Sequence, residues 1–215
     1  MSRTRIKICG LTRESDVDDA LEAGVDALGF VLWPKSPRAV TLQRAAELAA
    51  RLPPFVTPVL LFVNPSPQEV RAATEALPQA LLQFHGDETP EQCAAAGHAY
   101  IRAARMAPGF DLLDFAQRFH GAQALLLDAH VEGYGGAGKV FDWSLLHNLS
   151  GGVGLPLVLS GGLSPANVTD GVLSLRPWAV DVSSGVESAK GIKNPALMRR
   201  FCKAVREADD RLGAL

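Results

Sequence analysis

The stretch "IKICGLTRESDVDDALEAGVDALGFV", residues 6–31, contains the repeating unit from which the fold can be predicted. Apolar residues dominate two short runs, Ile6–Cys9 and Ala27–Val31, and the polar segment Ser15–Glu22 between them has helical spacing. The two runs are nearly continuous in hydrophobicity, which is typical of parallel strands buried on both faces. The stretch therefore predicts a strand, a helix and a second, parallel strand.

The same alternation continues along the whole chain. Further runs of strand length are Val59–Val63, Ala80–Phe84, Tyr100–Ala103, Ala124–Asp128, Leu157–Ser160 and Ala179–Val182. Helical patterns between them include Thr41–Ala50, Ser66–Ala76, Thr89–Ala95, Leu112–Phe119 and Asn194–Asp209. Ser66 and Thr89 each stand before a proline, which indicates the start of a helix.

About eight strand–helix units at intervals of roughly 25 residues predict an α/β fold, a single (β/α)8 TIM barrel. An open doubly wound sheet is the alternative, but it normally has fewer strands and a glycine fingerprint, which is missing after Cys9. No linker-like segment divides the sequence, so residues 1–215 are expected to form one catalytic domain.

Composition excludes several classes of function. The formal net charge of −2 gives no basic field for nucleic acid or an anionic membrane. The three cysteines are scattered and form no CxxC or Cys/His cluster, so neither a disulfide framework nor a metal site is expected. The first residues lack the apolar core of a signal peptide, and a cytoplasmic location is expected.

Polar residues at the ends of the predicted strands are the candidates for a functional site, because barrel enzymes build their active sites there. These candidates are Cys9, Gln83, His85, Arg102, Asp128, Ser160, Gly161, Gly162, Asp181, Ser183 and Ser184.

Cys9 and Asp128 end the first and sixth strands, so a small substrate could lie between them at the barrel mouth. A thiolate can act as a base and a carboxyl group as an acid, which favours acid–base chemistry. An inert core thiol and a capping or salt-bridged carboxylate are the alternative interpretations of these two residues.

Two glycine-containing loops indicate a phosphate site. "LSGGLSPANV", residues 159–168, follows the seventh strand, and "DVSSGVE", residues 181–187, follows the eighth. Glycines let backbone N–H groups approach a ligand, and barrels commonly bind phosphate after these two strands. Ser164 before Pro165 is also interpreted as the start of a helix.

Two other loops have weaker patterns. Arg38, in "WPKSPRAVT" at residues 33–41, is either a solvated loop arginine or a guanidinium that binds a substrate carboxylate. "GYGGAGKVFDW", residues 133–143, fits GxxxxGK, but Val140 stands where a P-loop needs Ser or Thr. We interpret that segment as a lid beside Asp128 rather than a nucleotide site.

The motifs together resemble the phosphoribosylanthranilate isomerase family of tryptophan biosynthesis. The similar stretches are "KICGLTRESDVDDALEAGVDALGFVLWPKSPRAV", "LQFHGDE", "LLLDAHVEGYGGAGKVFDW", "LSGGLSPANV" and "VDVSSGVES", spread from Lys7 to about Phe201. The resemblance implies an Amadori rearrangement of N-(5-phosphoribosyl)anthranilate, without metal or organic cofactor. Val140, where relatives often have Thr, is a minor departure.

The resemblance also implies a role for each matching residue. Asp128 would be the general acid, Cys9 the general base, and Arg38 the ligand of the anthranilate carboxylate. Asp181 would lie near the substrate hydroxyls. Phosphate would bind in loops that contain Gly161, Gly162, Ser184 and Gly185. The thiolate of Cys9 needs nearby positive charge, for which Lys7 and Arg38 are candidates.

Two alternatives stay open beside this assignment. The related isomerase of histidine biosynthesis uses aspartates at both acid–base positions and needs a second phosphate site, whereas here the first strand ends in Cys9. A catalytically silent sugar-phosphate-binding barrel would not need both Cys9 and Asp128. The expected partner is a phosphorylated small molecule, with no nucleic acid and no membrane, and a monomer is expected rather than a homodimer.

Overall fold

The computed structural model describes residues 3–107, 109–129 and 152–213, and in them eight parallel strands close into a barrel. The strands are β1 (Arg5–Cys9), β2 (Ala27–Val31), β3 (Thr57–Phe62), β4 (Leu81–Phe84), β5 (Tyr100–Met106), β6 (Ala124–Ala129), β7 (Leu157–Leu159) and β8 (Ala179–Val182). Each strand pairs with the next along the chain, and β1 pairs with β8 in a register that sets Lys7 opposite Asp181. The predicted (β/α)8 barrel is confirmed.

Helices alternate with the strands on the outside of the barrel. They are α1 (Glu14–Ala23), α2 (Leu42–Ala49), α3 (Pro67–Ala76), α4 (Pro90–Ala95), α5 (Leu112–Arg118), α6 (Val168–Leu175) and α7 (Pro195–Gly213). Ser66 and Thr89 form capping boxes with Glu69 and Gln92, because each hydroxyl accepts from the third helical N–H and each side chain returns the contact. Both predicted helix starts are confirmed. No helix in the described part of the chain is long and apolar enough to cross a bilayer.

The prediction that a helix starts at Ser164 is wrong. The backbone N–H of Ser164 donates to Asn167 Oδ1 at 2.8 Å, and the N–H of Asn167 donates to the carbonyl of Ser164 at 3.2 Å. These bonds make a turn, and α6 begins only at Val168. Pro165 is therefore part of the turn rather than of the helix.

A short hairpin after β8 was not predicted from the sequence. A single 3₁₀ turn, Ser184–Val186, leads into β9 (Glu187–Ala189), which pairs antiparallel with β10 (Ile192–Lys193). The segment is short and polar, so it carries no hydrophobic periodicity that would reveal a strand.

The inside of the barrel is polar at the carboxyl ends of the strands and apolar beneath them. A buried interior cluster consists of Val59, Ile101, Ala103, Ala124, Leu126, Val158 and Ala179. Side chains two residues apart on a strand share a face, so Asp128 follows Leu126 and Asp181 follows Ala179 on the inner face. The polar residues therefore lie above the apolar cluster, at the carboxyl ends of the strands.

Candidate active site

The thiol of Cys9 lies at the inner end of β1, beside a glycine of the neighbouring strand. Gly29 is the partner of Cys9 in the β1–β2 register, and a Cβ atom added there would lie 2.7 Å from Cys9 Sγ. Any larger residue at position 29 would displace the thiol. Cys9 is 5% exposed, so its sulfur is in a site with little solvent.

Lys7 lies between Cys9 on its own strand, β1, and Asp181 on β8, the strand that pairs with β1 to close the barrel. Its Nζ donates to Asp181 Oδ1 at 2.8 Å, and both side chains are buried. The charge of Lys7 also interacts with Cys9 on the same strand. Burial opposes the charged form of Lys7, but the negative charge of Asp181 and the interaction with Cys9 raise its pKa above the usual value. Lys7 is therefore a cation adjacent to the thiol.

The pKa of Cys9 is raised above its ordinary value. Burial is the largest cause, and the carboxylate of Asp181 adds to it, while the positive charges of Lys7 and Lys193 act in the opposite direction. The expectation that nearby positive charge favours the thiolate is met by Lys7, but burial outweighs it. The expected net stabilisation of the thiolate is therefore wrong for this structure, because the net shift of the Cys9 pKa is upward.

Asp128 lies at the end of β6 in a chain of buried hydrogen bonds. Its Oδ2 is 3.0 Å from His85 Nε2, and His85 Nδ1 is 3.1 Å from Gln83 Nε2. With this amide orientation, Gln83 Nε2 donates to His85 Nδ1. The imidazole proton is then on Nε2, which donates to the carboxylate of Asp128. The reversed amide would accept from Nδ1–H, so that Nε2 could accept from a protonated Asp128. Gln83 Oε1 has no partner in the part of the chain that the structure describes. The arrangement can thus hold Asp128 in either protonation state.

Arg102, one of the strand-end candidates, does not face the mouth. Its neighbours Ile101 and Ala103 belong to the interior cluster, so its side chain lies on the outer face of β5. There the guanidinium donates to the carbonyl of Phe84 at 2.8 Å and lies 4.9 Å from the ring centre of Phe119. The assignment of Arg102 to the mouth is wrong because side chains alternate between the two faces of a strand, and that of Arg102 lies on the outer face.

Arg38 is half-buried in the loop after β2 and pairs with a residue that was not predicted. Its Nε and Nη2 donate to the two carboxylate oxygens of Glu187, both at 2.7 Å. The aliphatic part of Arg38 lies over Gly10, where a Cβ would be 2.5 Å from Arg38 Cδ. A freely solvated arginine is therefore excluded. Lys193, which binds the same carboxylate at 2.9 Å, was also missed.

The loops after β7 and β8 contact each other. Gly161 and Gly162 have φ angles of 76° and 70°, which favour glycine. Their N–H groups donate to no acceptor within residues 3–107, 109–129 and 152–213. A Cβ on Gly185 would lie 1.9 Å from the carbonyl oxygen of Leu163, so the two loops can pack only with glycine there. Ser184 begins the adjoining 3₁₀ turn, which brings all four predicted phosphate-site residues to these loops.

Two other features bear on the chemistry. Residues 133–143, which include Val140 and are interpreted as a lid, lie outside the described residues. Among those that are described, no group of three or more His, Cys, Asp or Glu side chains could hold a metal ion.

Comparison with known proteins identifies the family. Residues 6–204 match the family model described as N-(5'phosphoribosyl)anthranilate (PRA) isomerase. The chain belongs to this isomerase family. A relative from Methylibium petroleiphilum, named N-(5'-phosphoribosyl)anthranilate isomerase, is 73% identical over 212 residues, which are 99% of this chain and 98% of the relative.

Solved structures agree with this assignment. The phosphoribosyl anthranilate isomerase of Thermotoga maritima has a TM-score of 0.86 and 37% identity, over 95% of this chain and 99% of that chain. Another phosphoribosyl anthranilate isomerase, solved in complex with reduced 1-(o-carboxyphenylamino)-1-deoxyribulose 5-phosphate, has a TM-score of 0.83 and 34% identity over 95% of this chain and 99% of that chain. The resemblance and the predicted enzyme class, an isomerase of tryptophan biosynthesis, are confirmed.

Proposed function

We propose that the chain catalyses the Amadori rearrangement of N-(5-phosphoribosyl)anthranilate to 1-(2-carboxyphenylamino)-1-deoxyribulose 5-phosphate, with Asp128 as general acid and Cys9 as general base. One observation carries the assignment of roles. Both residues end strands of the same barrel mouth, but Cys9 is close to cations whereas Asp128 contacts an imidazole. Their surroundings therefore suit opposite proton transfers.

The first step opens the ribose ring. The carboxyl group of Asp128 donates its proton to the ring oxygen, the bond between that oxygen and C1′ breaks, and the anthranilate nitrogen forms a Schiff base with C1′. Asp128 is left as a carboxylate. His85 Nε2, 3.0 Å away, can then donate a hydrogen bond to it and stabilise the new charge.

The second step removes the proton from C2′. The thiolate of Cys9 takes this proton, the electron pair moves toward the positively charged nitrogen, and an enolamine forms that tautomerises to the ketone. The thiol must lose its own proton before this step, at a cost set by burial. The positive charges of Lys7 and Lys193 reduce that cost.

The remaining site residues would bind the substrate. Arg38 offers a guanidinium for the anthranilate carboxylate, and Asp181 can accept a hydrogen bond from a sugar hydroxyl. Phosphate would bind between the loops of β7 and β8, at Gly161, Gly162, Ser184 and Gly185. The N–H groups of Gly161 and Gly162, which donate to no acceptor among the described residues, and the close contact at Gly185 support this placement.

A direct assay tests the proposed activity. Purified protein is mixed with phosphoribosylanthranilate generated enzymatically, and the loss of anthranilate fluorescence is followed. The proposal predicts loss that depends on enzyme concentration and on both Asp128 and Cys9. No loss above the uncatalysed rate, with folded protein, would contradict it.

We also propose a cytoplasmic location and a monomeric state. All three cysteines are buried free thiols, which suits a reducing compartment. Phe55 is fully exposed with a φ of 72°, and it is the feature that favours a dimer instead. Sedimentation of the parent chain and of Phe55→Ala tests the state, since a dimer that dissociates in the variant would contradict the monomer.

A further inference from the structure

The β9–β10 hairpin is fixed against α1 and against the loops that follow β1 and β2. Thr12 Oγ1 donates to the carbonyl of Gly191 at 2.7 Å, and the N–H of Lys193 donates to Asp16 Oδ2 at 3.2 Å. A Cβ on Gly191 would lie 3.0 Å from the carbonyl oxygen of Pro37, next to Arg38. The hairpin is therefore held rigidly beside Arg38.

Glu187 of this hairpin occupies one edge of the Arg38 guanidinium. It accepts from Nε and Nη2, which form the side edge of the planar group. Arg38 Nη1 donates to no acceptor in the described ranges of the chain. The end edge, made by Nη1 and the second N–H of Nη2, is left for another carboxylate, which it can bind through two parallel hydrogen bonds.

Lys193 changes the charge of this group. Its side chain is fully buried, and its Nζ donates to Glu187 Oε1 at 2.9 Å and to the carbonyl of Ser183 at 3.0 Å. Arg38 and Glu187 alone would be a neutral pair with little attraction for an anion. Burial lowers the pKa of Lys193, and the carboxylate of Glu187 opposes this shift. With Lys193 protonated, the three side chains carry a net positive charge. The cations also hold the pKa of Glu187 below its usual value, against the effect of burial, so Glu187 is ionised.

A buried lysine and a buried glutamate need a reason, because removing their charges from water is costly even when they are paired. The arrangement leaves Arg38 with a fixed orientation, one open edge and a net positive charge around it. An arginine that is already ordered loses less conformational freedom when a ligand binds.

We propose that Glu187 and Lys193 are positioning residues that orient Arg38 for the ring carboxylate of the substrate, and that they thereby select substrates with an anionic aromatic group. This inference rests on the proposed function, which assigns that carboxylate to Arg38. It goes further by assigning the selection to two residues that need not touch the substrate.

The test measures how much the ring carboxylate contributes to binding. Two ligands are compared by calorimetry: reduced 1-(o-carboxyphenylamino)-1-deoxyribulose 5-phosphate, and the same molecule without its carboxyl group. In the parent protein the first should bind about 10–150 times more tightly, as expected for a charge-assisted contact. In Arg38→Ala the two affinities should converge. A ratio that persists in Arg38→Ala would contradict the proposed function itself.

Glu187→Gln tests the inference separately. It keeps the shape of the side chain but removes the charge that holds Arg38, so the affinity ratio should fall about tenfold while binding of the ligand without the carboxyl group changes less than about twofold. In turnover assays KM should rise about tenfold and kcat should change less than about threefold. An unchanged ratio in Glu187→Gln, together with a lost ratio in Arg38→Ala, would overturn the inference.

Two further variants provide controls. Glu187→Gln/Lys193→Met restores the net charge and leaves no buried lysine unpaired, so it should fold even where the single variant does not. Its affinity ratio should still be low, and full recovery would show that orientation of Arg38 is not the cause. Glu14→Gln removes a similar pairing with Arg44 between α1 and α2 and should leave the ratio unchanged.

Discussion

The two sides of the barrel mouth differ in what surrounds the two residues that we propose transfer protons. On the β1 side, Cys9 is surrounded by charges, with Lys7 and Lys193 favouring the thiolate and Asp181 opposing it. On the β6 side, Asp128 is joined to His85 and Gln83 by hydrogen bonds between buried groups. The proposed base is influenced mainly by charges, and the proposed acid is held by hydrogen bonds.

This difference follows from what each group must do. A thiol that acts as a base has to become negative in a buried site, and nearby cations offset that cost. An acid has to keep a proton until the ring oxygen accepts it, and an imidazole can either accept from the carboxyl group or donate to the carboxylate. In the proposed mechanism, two equivalent strand-end positions thus have opposite roles because their neighbours differ. Substitutions on the two sides should therefore differ in their effects on turnover.

The largest effect is expected from Cys9→Ala. No group would take the C2′ proton, so kcat should fall by about 10⁴, while binding of the reduced product analogue stays within about threefold because a base acts on the transition state. Steady-state kinetics and calorimetry measure both. Cys9→Ser is the matched control, and its kcat should lie between those of the parent and of Cys9→Ala. Turnover near that of the parent in folded Cys9→Ala would make the thiol a core residue.

Asp128→Asn should have a smaller effect on turnover. The amide keeps the size of the side chain but donates no proton to the ring oxygen, and kcat should fall by about 10²–10³, since aldosylamine rings also open without an enzyme. The same assays apply. A variant that is folded, binds the analogue and turns over normally would remove Asp128 from the mechanism.

Gly162→Asp tests a part of the mouth that belongs to neither side. It places a carboxylate where the phosphate is proposed to bind, so competition by inorganic phosphate should weaken by at least about tenfold. Gly162→Asn has the same size and backbone demands without the charge, and it should retain more of the competition. Equal phosphate inhibition in the parent and in Gly162→Asp would place the phosphate elsewhere.

The smallest effect is expected on the ionisation of Cys9. Asp181 raises the pKa of this thiol, so Asp181→Asn should lower it, whereas Lys7→Met should raise it. The thiolate fraction at a given pH should accordingly rise in the first variant and fall in the second. Ultraviolet absorbance of the thiolate, corrected with the same variant carrying Cys9→Ala, measures this. Burial raises the pKa of Cys93 to about 12 and of Cys202 to about 11, so both ionise late. Shifts of the same sign in the two variants would contradict the electrostatic account.

The barrel could be predicted because its signal is local. The predicted run Ala124–Asp128 differs from β6 by one residue, and Ile6–Cys9 differs from β1 by one. Parallel strands buried on both faces leave uninterrupted apolar runs in the sequence. The start of β3 at Thr57 rather than Val59 was missed because it includes Pro58, which is tolerated near the first residue of a strand.

Positions within the site were predicted better than the contacts between them. Cys9 and Asp128 could be found because strand position alone places them at the mouth. The pairing of Arg38 with Glu187 joins residues 149 apart, and the pairing of Lys7 with Asp181 joins residues 174 apart. Such pairs depend on closure of the barrel and on the register of its strands, for which no single segment carries a signal.

Trapping of the Schiff base tests most directly whether the two sides perform separate proton transfers. Cys9→Ala and Asp128→Asn are each incubated with phosphoribosylanthranilate and cyanoborohydride, which reduces the open-chain imine. In Cys9→Ala the acid still opens the ring and no base removes the C2′ proton, so the reduced open-chain product should accumulate on the enzyme. In Asp128→Asn its yield should stay near that of a reaction without enzyme. Equal yields from the two variants, or a higher yield from Asp128→Asn, would contradict the assignment of acid and base.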